Sequence, residues 1–157
     1  MTETQWLLGF HLVGAFLFVS GAVAVGVLHS LALRRERPSE IVLLLGLARS
    51  AVAVVGTGAL ATIIFGLWLV DNRGFSVGNG WISAALALWL ASVVLGAVGG
   101  RAARRTRYLA ERLAAGDDRP SDELLRALRD PVARLLNYGS FLAPVAVLAL
   151  MVWKPGT

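Results

Sequence analysis

Residues 7–30 read LLGFHLVGAFLFVSGAVAVGVLHS, with no formally charged side chain, yet the stretch holds both histidines of the chain, His11 and His29. A helix needs about 20 mainly apolar residues to cross a hydrocarbon core, so this run is long enough to span a bilayer. Three further apolar blocks have the same character, which gives spans at about 6–33, 41–70, 79–100 and 132–153. Hydrophobic residues make up 57% of the 157 and charged residues 16%, too little polar surface for a water-soluble domain of this length. The apolar residues also come in blocks, without the alternation of a strand or the single stripe of a surface helix. The expected fold is all-α: one integral membrane domain, residues 1–157, built as a four-transmembrane-helix bundle with a basic cytoplasmic helical hairpin at 101–131.

Charge orients the bundle. Arg34, Arg35 and Arg37 lie in the first loop and eight more arginines between Arg101 and Arg129, against Arg73 in the middle loop and Lys154 in the tail. Basic loops stay in the cytoplasm, so both termini and the 71–79 loop are expected outside. Trp6, Trp68, Trp81 and Trp153 all stand at span ends on that outer side, where an indole is half buried and its N–H reaches water. The opening MTETQW has no basic n-region, so the first block reads as an uncleaved span. The positive charge therefore points to a bilayer with anionic lipids and away from nucleic acid, with Arg49, Arg101, Arg104, Arg105 and Arg107 as candidate lipid-binding residues.

Local signals divide the chain further. Pro38 and Ser39 mark a turn and a cap before the second span. That span is about 30 residues long, roughly 45 Å at helical rise, so it must tilt or project into the cytoplasm. The third helix is expected to run past Gly100 and stop at Gly116. Ser121 caps a short helix with Asp122 and Glu123 in its first turn. Pro131 breaks the chain before the fourth span and Pro144 bends that span. Small residues every four positions, Gly58, Thr62 and Gly66 in span two and Ser92, Gly96 and Gly100 in span three, read as helix-packing seams; the two sets can face each other at most near the membrane centre.

The chain has no cysteine, no glycine-rich phosphate loop and no pair of carboxylates inside a span. Thiol catalysis and thiolate metal sites are excluded, and a copper site is poorly served by two methionines. His29 sits at the cytoplasmic end of span one, within reach of water. Arg49, two turns into span two, snorkels to the headgroups or holds an internal or lipid partner, and Arg134 reads as an interfacial anchor. His11 is different. It lies five residues inside Trp6, about 7 Å down, and an imidazole there must find a partner or stay neutral. Thr62, or the Ser140 carbonyl freed by Pro144, could accept its hydrogen bond. Alternatively His11 ligates a cofactor, with Met151 as the candidate second ligand of a haem; His29 stands roughly 27 Å away along the helix and cannot share the site.

The pattern LLGFHLVGAFLFVSGAV, an early histidine followed by small residues and aromatics, resembles a family of predicted four-span bacterial integral membrane proteins of unknown function. That family is distantly similar to the copper-resistance D proteins and to HemJ-type protoporphyrinogen oxidases. The resemblance implies a multi-pass protein of the bacterial inner membrane, with His11 in the place of the histidine implicated in haem binding. Three functions follow as expectations: a haem- or quinone-associated redox accessory protein using His11, a structural or assembly subunit docking as a homo-oligomer or in a larger membrane complex, and a small transporter. A non-enzymatic role is favoured.

Overall fold

A computed structural model describes residues 2–153, without the side chains of Arg134, Asn137 and Phe141; the anchor expected at Arg134 and the tail charge Lys154 lie outside the described residues. The chain forms α1 (Glu3–Ala32), α2 (Pro38–Asn72), α3 (Gly80–Ala114), α4 (Asp122–Leu128) and α5 (Pro131–Trp153), with no strand among the described residues. The all-α character and the helix order expected from sequence hold. Three helices, α1, α2 and α3, are long and apolar enough to cross a membrane. A fourth crossing requires residues 122–133 and 138–153, bent by 45°, to count as one span.

The two hairpins pack tightly within themselves and loosely against each other. Contact is most extensive between α1 and α2 and next between α3 and α5, with smaller flanks joining α2 to α3 and α1 to α5. Close approach explains the first pair. A Cβ on Gly14 would lie 2.8 Å from the Thr62 nitrogen, one on Gly21 2.9 Å from Val55, and one on Gly58 would meet the Phe18 nitrogen. Without a hydrophobic drive between lipid-solvated helices, small residues of this kind let backbones touch. The seams expected in spans two and three thus do not face each other: Gly58, Thr62 and Gly66 serve α1. On α3, Ser92 and Gly96 serve α5, where a Cβ on Gly96 would lie 3.9 Å from Ser140 Cβ. Nothing approaches Gly100 within 4 Å.

Pro144 stands inside α5 and has no N–H to give the Ser140 carbonyl one turn back. The Ser92 hydroxyl of α3 donates to that carbonyl instead, at 3.0 Å. A backbone defect in one helix thereby becomes a bond to its neighbour.

At the arginine end, α3 runs unbroken to Ala114, and Ser121 caps α4 by accepting from the Leu124 nitrogen at 3.2 Å. Leu124 and Leu128 of α4 bury themselves with Ala110 of α3, Ala32 of α1, and Ile41 and Leu45 of α2. The start of α2 departs from expectation. Arg37 holds the cap position and Pro38 follows it, so Ser39 lies inside the first turn. The cap comes from the opposite hairpin: Asp118 accepts from the Ser39 nitrogen and from the Ser39 hydroxyl, both at 2.8 Å. A carboxylate there satisfies an orphan N–H and complements the helix dipole. Asp118 reaches it with a positive φ of 51°, which Asp tolerates better than most residues.

Candidate functional site

His11 lies in the α1–α2 seam, 7% exposed. Its Nδ1 is 3.0 Å from the backbone carbonyl oxygen of Thr62. A carbonyl only accepts, so Nδ1 donates to it, which in a neutral ring leaves the lone pair on Nε2. The Thr62 hydroxyl takes no part, since it donates to the Gly58 carbonyl of its own helix at 2.7 Å. Of the two acceptors expected from sequence, the position is therefore right for Thr62, though through its main chain. The Ser140 carbonyl is used by Ser92.

Gly66 completes the seat. A Cβ at this position would come within 3.0 Å of both Cε1 and Nδ1 of His11. The missing side chain is a notch that the imidazole fills. Sequence spacing marks Gly66 only as a packing residue; that it receives the one deep histidine is set by the register of α1 on α2. Nε2 makes no hydrogen bond among the described residues, and no group of three or more His, Cys, Asp or Glu able to hold a metal is present among them. Met151 stands half-buried near the end of α5, a helix that also contacts α1, and no hydrogen bond joins it to His11. His29 is separate, near the last turn of α1.

Above His11, Trp6 stacks on Phe10 and Phe10 on Phe65, with ring centroids 6.0 and 5.0 Å apart. These rings lie at the tryptophan end of the α1–α2 seam. Across the bundle, the Trp89 indole nitrogen is buried with no hydrogen-bond partner among the described residues, a feature that sequence reading does not reveal.

The basic residues separate into two kinds. Arg49, Arg101, Arg104 and Arg105 are exposed and form no ion pair among the described residues. Arg107 is different: it pairs with Glu111 one turn on, at 2.8 Å, and is partly buried. Its charge is already answered within the chain. Beyond these, a cleft of about 490 Å³ lies between residues 33–37 and the 118–129 segment.

No curated protein and no solved structure matches the chain. A family model does, over residues 5–155, and its description is a predicted integral membrane protein (DUF2269). With apolar helices of spanning length and a family match over nearly its whole extent, the chain belongs to that family of integral membrane proteins.

Proposed function

We propose that this is a four-span protein of the bacterial inner membrane, with both termini outside, and that His11 presents an oriented imidazole to a redox group, a haem or alternatively a quinone. The observation that carries the reading is the Nδ1 hydrogen bond to the Thr62 carbonyl in the Gly66 notch. Histidines that ligate metals almost always donate their other ring N–H to a carbonyl or carboxylate, which fixes tautomer and orientation. One imidazole per chain would serve as the iron ligand of a haem, with Met151 of α5 the candidate second ligand on residue type alone. A bound haem would supply one-electron redox chemistry; the chain itself supplies the ligand, its orientation and the aromatic cover of Trp6, Phe10 and Phe65. The arginine-rich end contacts anionic lipid.

Purified protein from haem-supplemented cells is expected to show a Soret band that His11→Gln abolishes and Met151→Leu shifts, with both variants still folded. No Soret band in the folded wild-type protein overturns the haem assignment.

A second reading has its own support. The same hydrogen bond makes His11 a bridge between α1 and α2, and the polar groups Thr57, Thr62 and Ser92 all donate to helix carbonyls. A bundle whose intramembrane hydroxyls are used internally, with large apolar side chains such as Phe16 and Leu135 facing out, suits a structural or assembly subunit better than a transporter.

A further inference from the structure

The depth at which the bilayer ends follows from helix register. Gly14 packs on Thr62 and Gly21 on Val55, so residue 49 of α2 stands about level with Val27 of α1. Gly96 packs on Ser140 and Gly99 on Leu136, which sets Arg101 about level with the first turn of α5, and Trp81 with Trp153. Ala110 of α3 packs beside Ile41 and Leu45 of α2, which brings Arg101, Arg104 and Arg105 to the level of Arg49.

Measured along continuous helix, Trp68 and Arg49 are separated by about 28 Å, and Trp81 and Arg101 by about 30 Å, at roughly 1.5 Å per residue. On α1, Trp6 to Val27 covers about 31 Å by the same rise. A typical hydrocarbon core is about 30 Å thick. The tryptophan plane and the arginine plane are thus one bilayer apart on each helix.

The hydropathy reading puts the inner boundary deeper, near residues 33 and 41. At that level α3 has reached Ala110, and Arg101, Arg104, Arg105 and Arg107 would all lie in hydrocarbon. Arginines in lipid are costly and need a partner or a route to water, and three of these four have no ion pair among the described residues. Half of the apolar run at the start of α2 has another explanation: Ile41 and Leu45 are buried in a protein core with Leu124, Leu128 and Ala110, while Leu43 and Leu47 face outward.

We propose that Arg49, Arg101, Arg104 and Arg105 form a belt that seats the lipid phosphates at the bilayer boundary, and that residues 31–46 and 106–130 fold as a knob in water beyond it. Arg49 then needs no snorkelling, and His29 and Ser30 stand at the headgroups. The cleft lined by Arg34, Arg37 and Leu125 opens on the knob, beyond the reach of lipid. The inference rests on the membrane-spanning reading, but not on which side the knob faces.

The absence of cysteine makes the test direct. Single-cysteine variants are labelled in sealed vesicles of each orientation with a membrane-impermeant maleimide. Leu43→Cys and Tyr108→Cys, at positions 63% and 65% exposed, are expected to label as fully as Gly116→Cys, whereas Leu60→Cys, 61% exposed, stays unlabelled. Protection of Leu43→Cys and Tyr108→Cys to the degree of Leu60→Cys overturns the belt. Labelling of all three knob positions from the opposite side upholds the belt and instead sinks the proposed orientation. Native elution of each variant in detergent secures the comparison against misfolding.

Discussion

At the scale of single residues, His11 and Gly66 are two halves of one feature. A methyl group at Gly66 would sit 3.0 Å from the ring, so Gly66→Ala requires the imidazole to give by a few tenths of an ångström and strains its bond to the Thr62 carbonyl. The overpacking and the strained bond together should destabilise the protein by about 1–3 kcal/mol. Combining Gly66→Ala with His11→Ala removes the clash, so the double variant should cost clearly less than the sum of the single ones. Additive losses in detergent unfolding would show that the notch is not a histidine seat. Gly56 is the control, because a Cβ there meets nothing within 4 Å, and Gly56→Ala is expected to be neutral or slightly stabilising through helix propensity.

At the scale of the helix, the α3–α5 hairpin turns on a proline. Pro144 withholds the N–H that the Ser140 carbonyl would otherwise receive, and Ser92 supplies one from across the interface. Hydrogen bonds between membrane helices average about 0.6 kcal/mol and reach roughly 1.7, so Ser92→Ala should fall in that interval. Pro144→Ala restores the in-helix donor. In that background Ser92→Ala should be nearly silent, and an unchanged cost of Ser92→Ala there would mean that the serine acts by packing alone. The same logic of one element completing another appears at the start of α2, where Asp118 of the opposite hairpin satisfies the first-turn N–H of Ser39.

At the scale of the whole molecule, four tryptophans crowd one end and the arginine-rich segments the other. The bundle keeps them apart because α1 and α3 run opposite to α2 and α5, and Thr4 of α1 bonds Asn72 of α2 at 2.6 Å across the tryptophan end. Because basic segments are retained in the cytoplasm, a reporter inserted at Gly116 should read cytoplasmic and one fused after Thr157 should read outside. The reverse at Gly116 would invert the molecule; a cytoplasmic Thr157 with Gly116 unchanged would mean that residues 122–153 do not form a span.

The helices, their order and their apolar character were determined by sequence alone, because these are local properties: long runs without charge, with proline at Pro38 and Pro131 and a serine cap at Ser121 to mark helix starts. Membership of a membrane family was likewise legible in the early-histidine pattern. Which partner each seam meets was decided only by the tertiary structure. Gly58, Thr62 and Gly66 carry the same small-residue signal as Ser92 and Gly96, and nothing in that signal says that the first set takes α1 and the second α5. The Thr62 main-chain oxygen could not be foreseen as the acceptor for His11 either, since every helical residue offers an identical carbonyl. The apolar run after Pro38 reads as lipid-facing in one dimension and turns out to be half protein core, because hydropathy measures what a side chain avoids, whereas burial depends on what the fold brings against it.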